Sequence, residues 1–184
     1  MRMMCSRRRF SQGCAECAAA AMFMPWAMPA RASEVFSSCG LRAAGKLKTR
    51  RSSEIKASPL SIGFETLDRE LFDPARTYAH AAELGVKWAR CQTGWVRCEK
   101  EKGEYDFAWL DEVVDNLLKI GIQPWFNLGY GNPLYTPKAD ATAVGWVPVF
   151  DETAMQAWLA YTEKLAEHFK GRVKHWEIWN EPNI

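Results

Sequence analysis

Short apolar runs alternate with amphipathic stretches along the chain from Leu60 onward. In the amphipathic stretches the hydrophobic residues repeat at the helical spacing of three to four positions, which predicts helices with strands between them. Three of the predicted helices end in glycine, at Gly85, Gly121 and Gly171, because glycine accepts the left-handed backbone of a helix end. The pattern predicts strands at 60–65, 87–93, 123–128 and 173–180, and helices at 74–84, 107–120 and 152–169.

Repeated alternation of strands and helices predicts an α/β fold, because parallel strands need crossover connections. The alternatives are a doubly wound sheet and a (β/α)8 TIM barrel. No glycine-rich phosphate loop follows the first strand, where Gly63 stands alone, so a nucleotide-binding sheet is disfavoured. Polar and bulky groups on both faces of the fourth strand suit the mouth of a barrel. Since a whole barrel needs about 250 residues, residues 58–184 are expected to form the first four βα units.

Charge divides the chain into two parts. Residues 1–57 carry 11 basic and 3 acidic side chains (+8), and residues 58–184 carry 13 and 19 (−6). An acidic body argues against nucleic acid as a partner, since phosphate binding needs clustered positive charge. No run of 18 apolar residues occurs, so no membrane span is expected.

Residues 1–32 are typical of an export signal, because arginines precede an apolar stretch that ends in Ala30-Arg31-Ala32. The segment 6–10 resembles the twin-arginine motif, which directs folded proteins across a bacterial inner membrane. Glu16 and two prolines interrupt the apolar stretch, so a disordered extension ahead of the real start is the alternative. The protein is expected to be periplasmic or extracellular if the signal is real, and cytoplasmic otherwise. Residues 33–57 are expected to form a basic, solvated linker.

Six cysteines are divided between the head and the body. Cys14 and Cys17 form a C-x-x-C pair, but no second pair or histidine lies nearby, so no metal site is expected. Cys91 and Cys98 are expected to be buried thiols, with a disulfide left open for an exported protein.

The fourth predicted strand ends in Trp179-Asn180-Glu181-Pro182. This motif resembles the acid/base strand of clan A glycoside hydrolases, which are (β/α)8 barrels that cleave glycosidic bonds with retention. The segments 83–90, 101–111 and 121–126 are similar to family 39, the family of β-xylosidases and α-iduronidases. The resemblance covers roughly residues 58–184. It implies the N-terminal half of a catalytic domain that cleaves O-glycosyl bonds of oligo- or polysaccharides without a cofactor, with β-xylosidase-like or β-glycosidase-like activity.

The resemblance also assigns the residues of the motif. Glu181 would be the acid/base that protonates the leaving oxygen, while a second carboxylate about 5–5.5 Å away attacks the sugar. Trp176 and Trp179 would surround the acid with apolar surface, which disfavours its ionised form and raises its pKa. Asn180 would hydrogen-bond the sugar 2-hydroxyl, and because both neighbours must face the pocket, a β-bulge is expected there. In the alternative, Glu181 caps a turn and the Asn180 side chain hydrogen-bonds the backbone.

Arg90 matches the position from which clan A enzymes hold the nucleophilic carboxylate, and its alternative is an arginine paired with Glu177 or another barrel acid. Four aromatic residues lie after strands or in the following loops, where their faces could stack on sugar rings, and core or loop packing is the alternative for each: Trp95, Trp125, Tyr130 and Trp146. Residues 129–150 are expected to form a substrate loop. The residues expected to bind substrate are Arg90, Trp95, Asn127, Tyr130, Trp179 and Asn180.

Two positions depart from the family pattern. Xylosidases of the family often carry His two residues after the second-strand Arg and Glu in the third strand, where this chain has Gln92 and Asn127. The sugar is therefore left open. The nucleophile belongs to the seventh strand and is expected beyond Ile184, so a fragment with these bounds would be inactive alone. Two other functions remain open: a non-catalytic carbohydrate-binding or structural half-barrel, and a family 5-like endoglucanase or mannanase.

Overall fold

A computed structural model describes residues 48–136 and 147–181 of the chain. The strands are β1 Ser61–Phe64, β2 Trp88–Gln92, β3 Gln123–Leu128 and β4 Trp176–Ile178. The α-helices are α1 Tyr78–Glu83, α2 Trp95–Cys98, α3 Ala108–Lys119 and α4 Glu152–His168. Short 3-10 helices lie at Ser52–Glu54, Leu67–Arg69, Pro74–Arg76 and Pro148–Phe150.

The four strands form one sheet in the order β1-β2-β3-β4, and every pair is parallel. The predicted parallel sheet is therefore confirmed, and β3 has the predicted bounds. In the register, Arg90 lies between Gly63 and Trp125, and Glu177 lies beside Asn127. Because all strands run the same way, their carboxyl ends meet at one edge of the sheet.

Alternate residues of each strand point to opposite faces. Phe64, Cys91 and Phe126 belong to the core between the sheet and the helices, where they join apolar residues of α3 and α4. Phe126 packs edge-on against Phe169 at 5.0 Å between ring centroids. Cys91 and Cys98 are buried free thiols, as expected. The other face carries the polar strand residues that form the site described below.

Aspartates begin two of the predicted helices. Asp73 Oδ1 accepts a hydrogen bond from the Ala75 N–H at 2.9 Å, and Pro74 follows as the first residue of a 3-10 turn. The first predicted helix therefore starts where expected, but its opening turn is 3-10 and α1 begins at Tyr78. Asp151 accepts from the Ala154 N–H in the same way at the start of α4.

The last residues of the predicted linker belong to the folded unit, which begins at Thr49. Ser52 is fully buried, and its hydroxyl donates to the Ala81 carbonyl. Backbone atoms of Ser53 lie so close to Gly121 that an added Cβ there would meet Ser53 Cα at 2.7 Å. Lys87 Nζ donates to the carbonyls of Ser52 and Gly121. These contacts differ from the solvated segment expected from composition, because Ser52 hydrogen-bonds the end of α1 and accepts from Lys87.

The predicted export signal, its C-x-x-C pair and residues 33–47 of the linker lie outside the described residues. Within residues 48–136 and 147–181, no helix is both long and apolar enough to cross a bilayer.

Candidate active site

The carboxyl edge of the sheet gathers charged and amide side chains on the face that points away from the helices. The register places Gln92, Asn127 and Glu177 side by side on neighbouring strands, one layer beyond Arg90. Glu65 follows the end of β1 on the same edge. We call Arg90, Glu65, Glu177 and Asn180 the Arg90 cluster.

Arg90 binds the three other members of the Arg90 cluster with its guanidinium. Nε donates to Glu177 at 2.7 Å, and Nη1 donates to both carboxylate oxygens of Glu65 at 2.9 Å. Nη2 donates to Asn180 Oδ1 at 2.9 Å. Burial alone lowers the pKa of Arg90, but the hydrogen bonds and charges of Glu177 and Glu65 outweigh it and raise that pKa. Among the described residues, Arg90 thus has the pairing with Glu177 that the sequence left as the alternative.

The chain turns sharply after β4. Trp179 has a left-handed backbone with φ 61°, and Glu181 has φ 50°. Hydrogen bonds anchor the turn, because the Trp179 N–H donates to the Leu128 carbonyl and Asn127 Nδ2 donates to the Trp179 carbonyl. The expected β-bulge is therefore wrong: the strand ends at Ile178, and left-handed residues redirect the chain instead.

The turn brings Asn180 and Glu181 to the same site. Asn180 Oδ1 accepts from Arg90, and Asn180 Nδ2 donates to Glu181 Oε2 at 3.2 Å, so the amide links the two residues. Glu181 is exposed. Trp176 does not wall it, because that ring points to the helix side and packs edge-on against Phe126. Trp179 is buried and packs against Tyr130.

Gln92 joins the loops that follow β1 and β3. Its Oε1 accepts from the Thr66 N–H at 2.6 Å and from Arg69 Nη2 at 3.1 Å. Its Nε2 donates to the Tyr130 hydroxyl at 2.8 Å. In the sequence, Gln92 stood out only as a departure from the family pattern. Its hydrogen-bond partners could not be predicted, because Thr66 and Tyr130 are 26 and 38 residues away along the chain.

Asp68 lies buried beside these residues, with 3% of its side chain exposed. Arg69 Nε is 3.4 Å from Asp68 Oδ1, which has no hydrogen-bond partner among the described residues. Burial raises the pKa of Asp68, although the charge of Arg69 opposes the change. Glycine is required at position 94, because an added Cβ would meet Asp68 Cβ at 2.4 Å.

Trp95 is not placed at the site. It is fully buried, with its ring stacked between Tyr135 at 5.2 Å and Tyr161 at 5.9 Å. Its indole N–H donates to Glu99, a fully buried carboxylate that also accepts from the Tyr135 hydroxyl and the Gly103 N–H. We call Glu99, Trp95, Tyr135 and Gly103 the Glu99 cluster. The prediction that Trp95 stacks on sugar is wrong, since α2 turns the ring into the core.

The remaining predicted site residues fall into three groups. Trp125 is partly exposed at the site, where Arg90 lies 5.6 Å from its ring centroid. Asn127 is fully buried and holds the Trp179 carbonyl, so it supports the turn rather than reaching the opening. Trp146 and most of the predicted substrate loop lie outside the described residues. Sequence reasoning assigned no role to Glu65, although its place at the end of β1 on the interior face was a usable signal.

Comparisons with known proteins identify the family and the fold of the chain. The family model for glycosyl hydrolases family 39 matches residues 68–184. A β-xylosidase of Caldicellulosiruptor saccharolyticus is 28% identical over 124 residues, which cover 55% of this chain and 24% of the relative. The β-galactosidase BbgII of Bifidobacterium bifidum is 32% identical over 108 residues, covering 47% of this chain and 15% of the relative. The chain thus spans about a quarter or less of these curated relatives.

A solved family 39 glycoside hydrolase from Bacteroides cellulosilyticus WH2 superposes with a TM-score of 0.54 at 22% identity. The superposition covers 67% of this chain and 24% of that one. The likeness confirms the fold: the four parallel strands and their helices are part of a (β/α)8 barrel. Since the family model covers well over half of its length, the chain belongs to glycosyl hydrolases family 39.

Proposed function

We propose that this chain supplies the acid/base side of the active site of a retaining glycoside hydrolase, which cleaves O-glycosyl bonds of oligo- or polysaccharides. The observation that carries the proposal is the hydrogen bond from Arg90 Nη2 to Asn180 Oδ1. It fixes which end of the amide faces outward, beside the exposed Glu181 carboxyl.

Asn180 binds the substrate in this mechanism. Its oxygen is occupied by Arg90 and one amide hydrogen is directed to Glu181, so the second amide hydrogen is the donor for a sugar hydroxyl. Hydrogen bonds to the 2-hydroxyl of the sugar strengthen as the transition state forms, and they supply several kcal/mol in such enzymes. Arg90 therefore orients a substrate-binding group while it also pairs with the carboxylates of Glu65 and Glu177.

Glu181 moves the proton. As an acid it donates to the leaving glycosidic oxygen, and as a base it then takes a proton from the water that hydrolyses the glycosyl intermediate. The nucleophilic carboxylate, about 5–5.5 Å from the acid in retaining enzymes, comes from a part of the barrel outside the described residues. β-Xylosides and related β-glycosides are the proposed substrates, in keeping with the names of the relatives.

Glu181→Gln tests the proposal in the protein at its full natural length. Gln keeps the shape but has no transferable proton, so turnover of substrates with poor leaving groups should fall about 10² to 10⁴-fold. Aryl glycosides with activated leaving groups need little protonation and should lose less. Added azide should restore their turnover, because it attacks the intermediate without help from a base.

Glu83→Gln, at an exposed position on α1, is the matched control and should leave all rates unchanged. Equal losses on both substrate types without azide rescue would mean that Glu181 is structural. Sugar binding without any hydrolysis by the unaltered protein would favour the non-catalytic carbohydrate-binding alternative.

Export belongs to the same proposal. The arginine-led head and Ala30-Arg31-Ala32 support cleavage before Ser33 and delivery to the periplasm or the medium. N-terminal sequencing of the exported protein should start at Ser33, and intact protein confined to the cytoplasm would contradict this part of the proposal.

A further inference from the structure

Tyr130 is placed to act through its hydroxyl group rather than its ring. The residue is 5% exposed, and Trp179 packs against its ring at 5.7 Å with the planes at 83°. The Arg69 guanidinium lies 5.9 Å from the ring centroid. A ring enclosed in this way offers little area on which a sugar could stack, so the stacking role predicted for it does not fit.

Gln92 determines the direction of the hydrogen bond at the Tyr130 hydroxyl. Two donors, the Thr66 N–H and Arg69 Nη2, face Gln92 Oε1. A reversed amide would set its NH₂ group against both donors, so the orientation is fixed. Nε2 therefore donates to the phenolic oxygen, which acts as the acceptor. The phenolic hydrogen has to point elsewhere, and the structure records no acceptor for it among residues 48–136 and 147–181.

The phenol also keeps its hydrogen. Burial raises the pKa of Tyr130 above its ordinary value, and the nearby charge of Asp68 acts in the same direction. Tyr130 is thus a neutral donor throughout the range in which a glycoside hydrolase works. Its neighbour Trp179 stands two residues before Glu181, so the donor belongs to the same edge of the sheet as the proposed acid.

We propose that Tyr130 donates its phenolic hydrogen to a hydroxyl group of the bound sugar, and that Gln92 is the positioning residue that sets this direction. The proposal rests on the proposed function for the presence of a sugar at this site. A buried donor that must find a sugar oxygen discriminates between epimers, because a sugar whose hydroxyl points away leaves the donor unpaired. Tyr130 is then a specificity-determining residue.

Two substitutions test the proposal in the full natural protein, with 4-nitrophenyl β-xyloside, β-galactoside and β-glucoside as probes. Tyr130→Phe keeps the ring and removes the donor. Gln92→Glu keeps an acceptor for Thr66 and Arg69, but its second oxygen captures the phenolic hydrogen. Each should raise KM for the preferred sugar about 5 to 100-fold, change kcat little, and reduce the preference among the three sugars.

The double variant separates positioning from general damage. Gln92→Glu should cost almost nothing further once Tyr130 is Phe, because both changes remove the same hydrogen bond. Gln123→Glu and Tyr105→Phe are the matched controls, and both should keep the parent KM. Thermal unfolding of Tyr130→Phe, whose ring still fills the site, shows that folding is retained even if Gln92→Glu folds poorly.

Unchanged KM and sugar preference in Tyr130→Phe would overturn the donor role, and additive losses in the double variant would overturn the role of Gln92. Calorimetric titration with methyl β-glycosides distinguishes these failures from failure of the proposed function. A protein that binds the sugar through Tyr130 but does not hydrolyse it would refute the hydrolase and keep the donor. A protein that neither binds nor hydrolyses any of the probes would refute both.

Discussion

Two clusters that contain carboxylates lie at the same edge of the sheet, and different kinds of donor bind those carboxylates. In the Arg90 cluster, Glu65 and Glu177 share one guanidinium, and their side chains are 46% and 35% exposed. In the Glu99 cluster, a single carboxylate is fully buried and accepts from an indole, a phenol and a backbone N–H. The charged pairs of the Arg90 cluster remain accessible to a substrate. In the Glu99 cluster, the buried carboxylate connects loops through hydrogen bonds from uncharged donors.

The Glu99 cluster contributes to the site from a distance. It connects α2, which follows β2, with the loop at 129–136 that follows β3. Asn132 strengthens the connection by donating to the Glu99 carbonyl. The loop that carries Tyr130 is therefore tied to a buried anchor. We expect substitutions in the Arg90 cluster to change activity, and substitutions in the Glu99 cluster to change stability.

Arg90→Lys should give the largest effect. Lysine is a point charge and cannot serve Glu65, Glu177 and Asn180 together, so the amide of Asn180 loses its fixed direction. Loss of one hydrogen-bond donor that stabilises charge in the transition state typically lowers kcat about 10² to 10³-fold. We therefore expect kcat/KM of the full natural protein to fall by about that factor, with little change in thermal stability. Arg172→Lys is the matched control, since Arg172 also pairs with two carboxylates, on the surface. A loss in Arg90→Lys no larger than in this control would break the comparison.

Glu99→Gln should act on stability instead. The substitution replaces one acceptor oxygen by an NH₂ group that faces an existing donor, which leaves buried groups unsatisfied and costs about 2–3 kcal/mol. Urea unfolding should show a lower midpoint, while kcat per folded molecule stays near the parent value. Glu104→Gln, at an exposed position in the same segment, controls for the change of charge. A stable but inactive Glu99→Gln variant would contradict the division of roles.

Asp68→Asn should give the smallest effect and sharpens the comparison, because Asp68 is buried without the donors that Glu99 has. Burial raises the folded-state pKa of Asp68 above its ordinary value of 3.8. The folded protein therefore binds the proton more tightly than the unfolded chain does, and stability falls as the pH rises from below 3.8 through the folded-state pKa. Asn removes this dependence.

Asp68→Asn should consequently be slightly more stable than the parent at pH 7, and the difference should vanish below about pH 3.8. Paired denaturation curves at several pH values give the measurement. A difference that persists unchanged at low pH would show that the ionised form of Asp68 is not the source of the cost.

Sequence reasoning succeeded where local chemistry decides the structure. β3 keeps its predicted bounds because an apolar run is enclosed by Gly121 and Gly129, and Asp73 begins a helical turn as an N-terminal cap. It failed where short segments change direction. The alternating pattern at 173–180 predicted a long strand, but the left-handed backbone of Trp179 ends β4 after three residues.

Trp95 illustrates a second limit of the sequence. Its place after β2 predicted a sugar platform, but α2 has four residues, too few for a periodic pattern, and it turns the ring into the core. Gln92 and Glu65 were missed for a related reason. Their partners lie on other loops, and hydrogen bonds between distant loops leave no periodic signal in the sequence.

The unequal number of charges in the Arg90 cluster has a consequence for inhibitor binding. One guanidinium stands against two carboxylates, so the cluster as a whole carries excess negative charge. Cleavage of a glycoside passes through an oxocarbenium-like state, in which the sugar ring becomes positively charged. The negative charge of the Arg90 cluster favours positively charged inhibitors that resemble this state over neutral ones. Protonated iminosugars should therefore bind the protein more tightly than neutral sugars of the same shape, and salt should weaken that advantage.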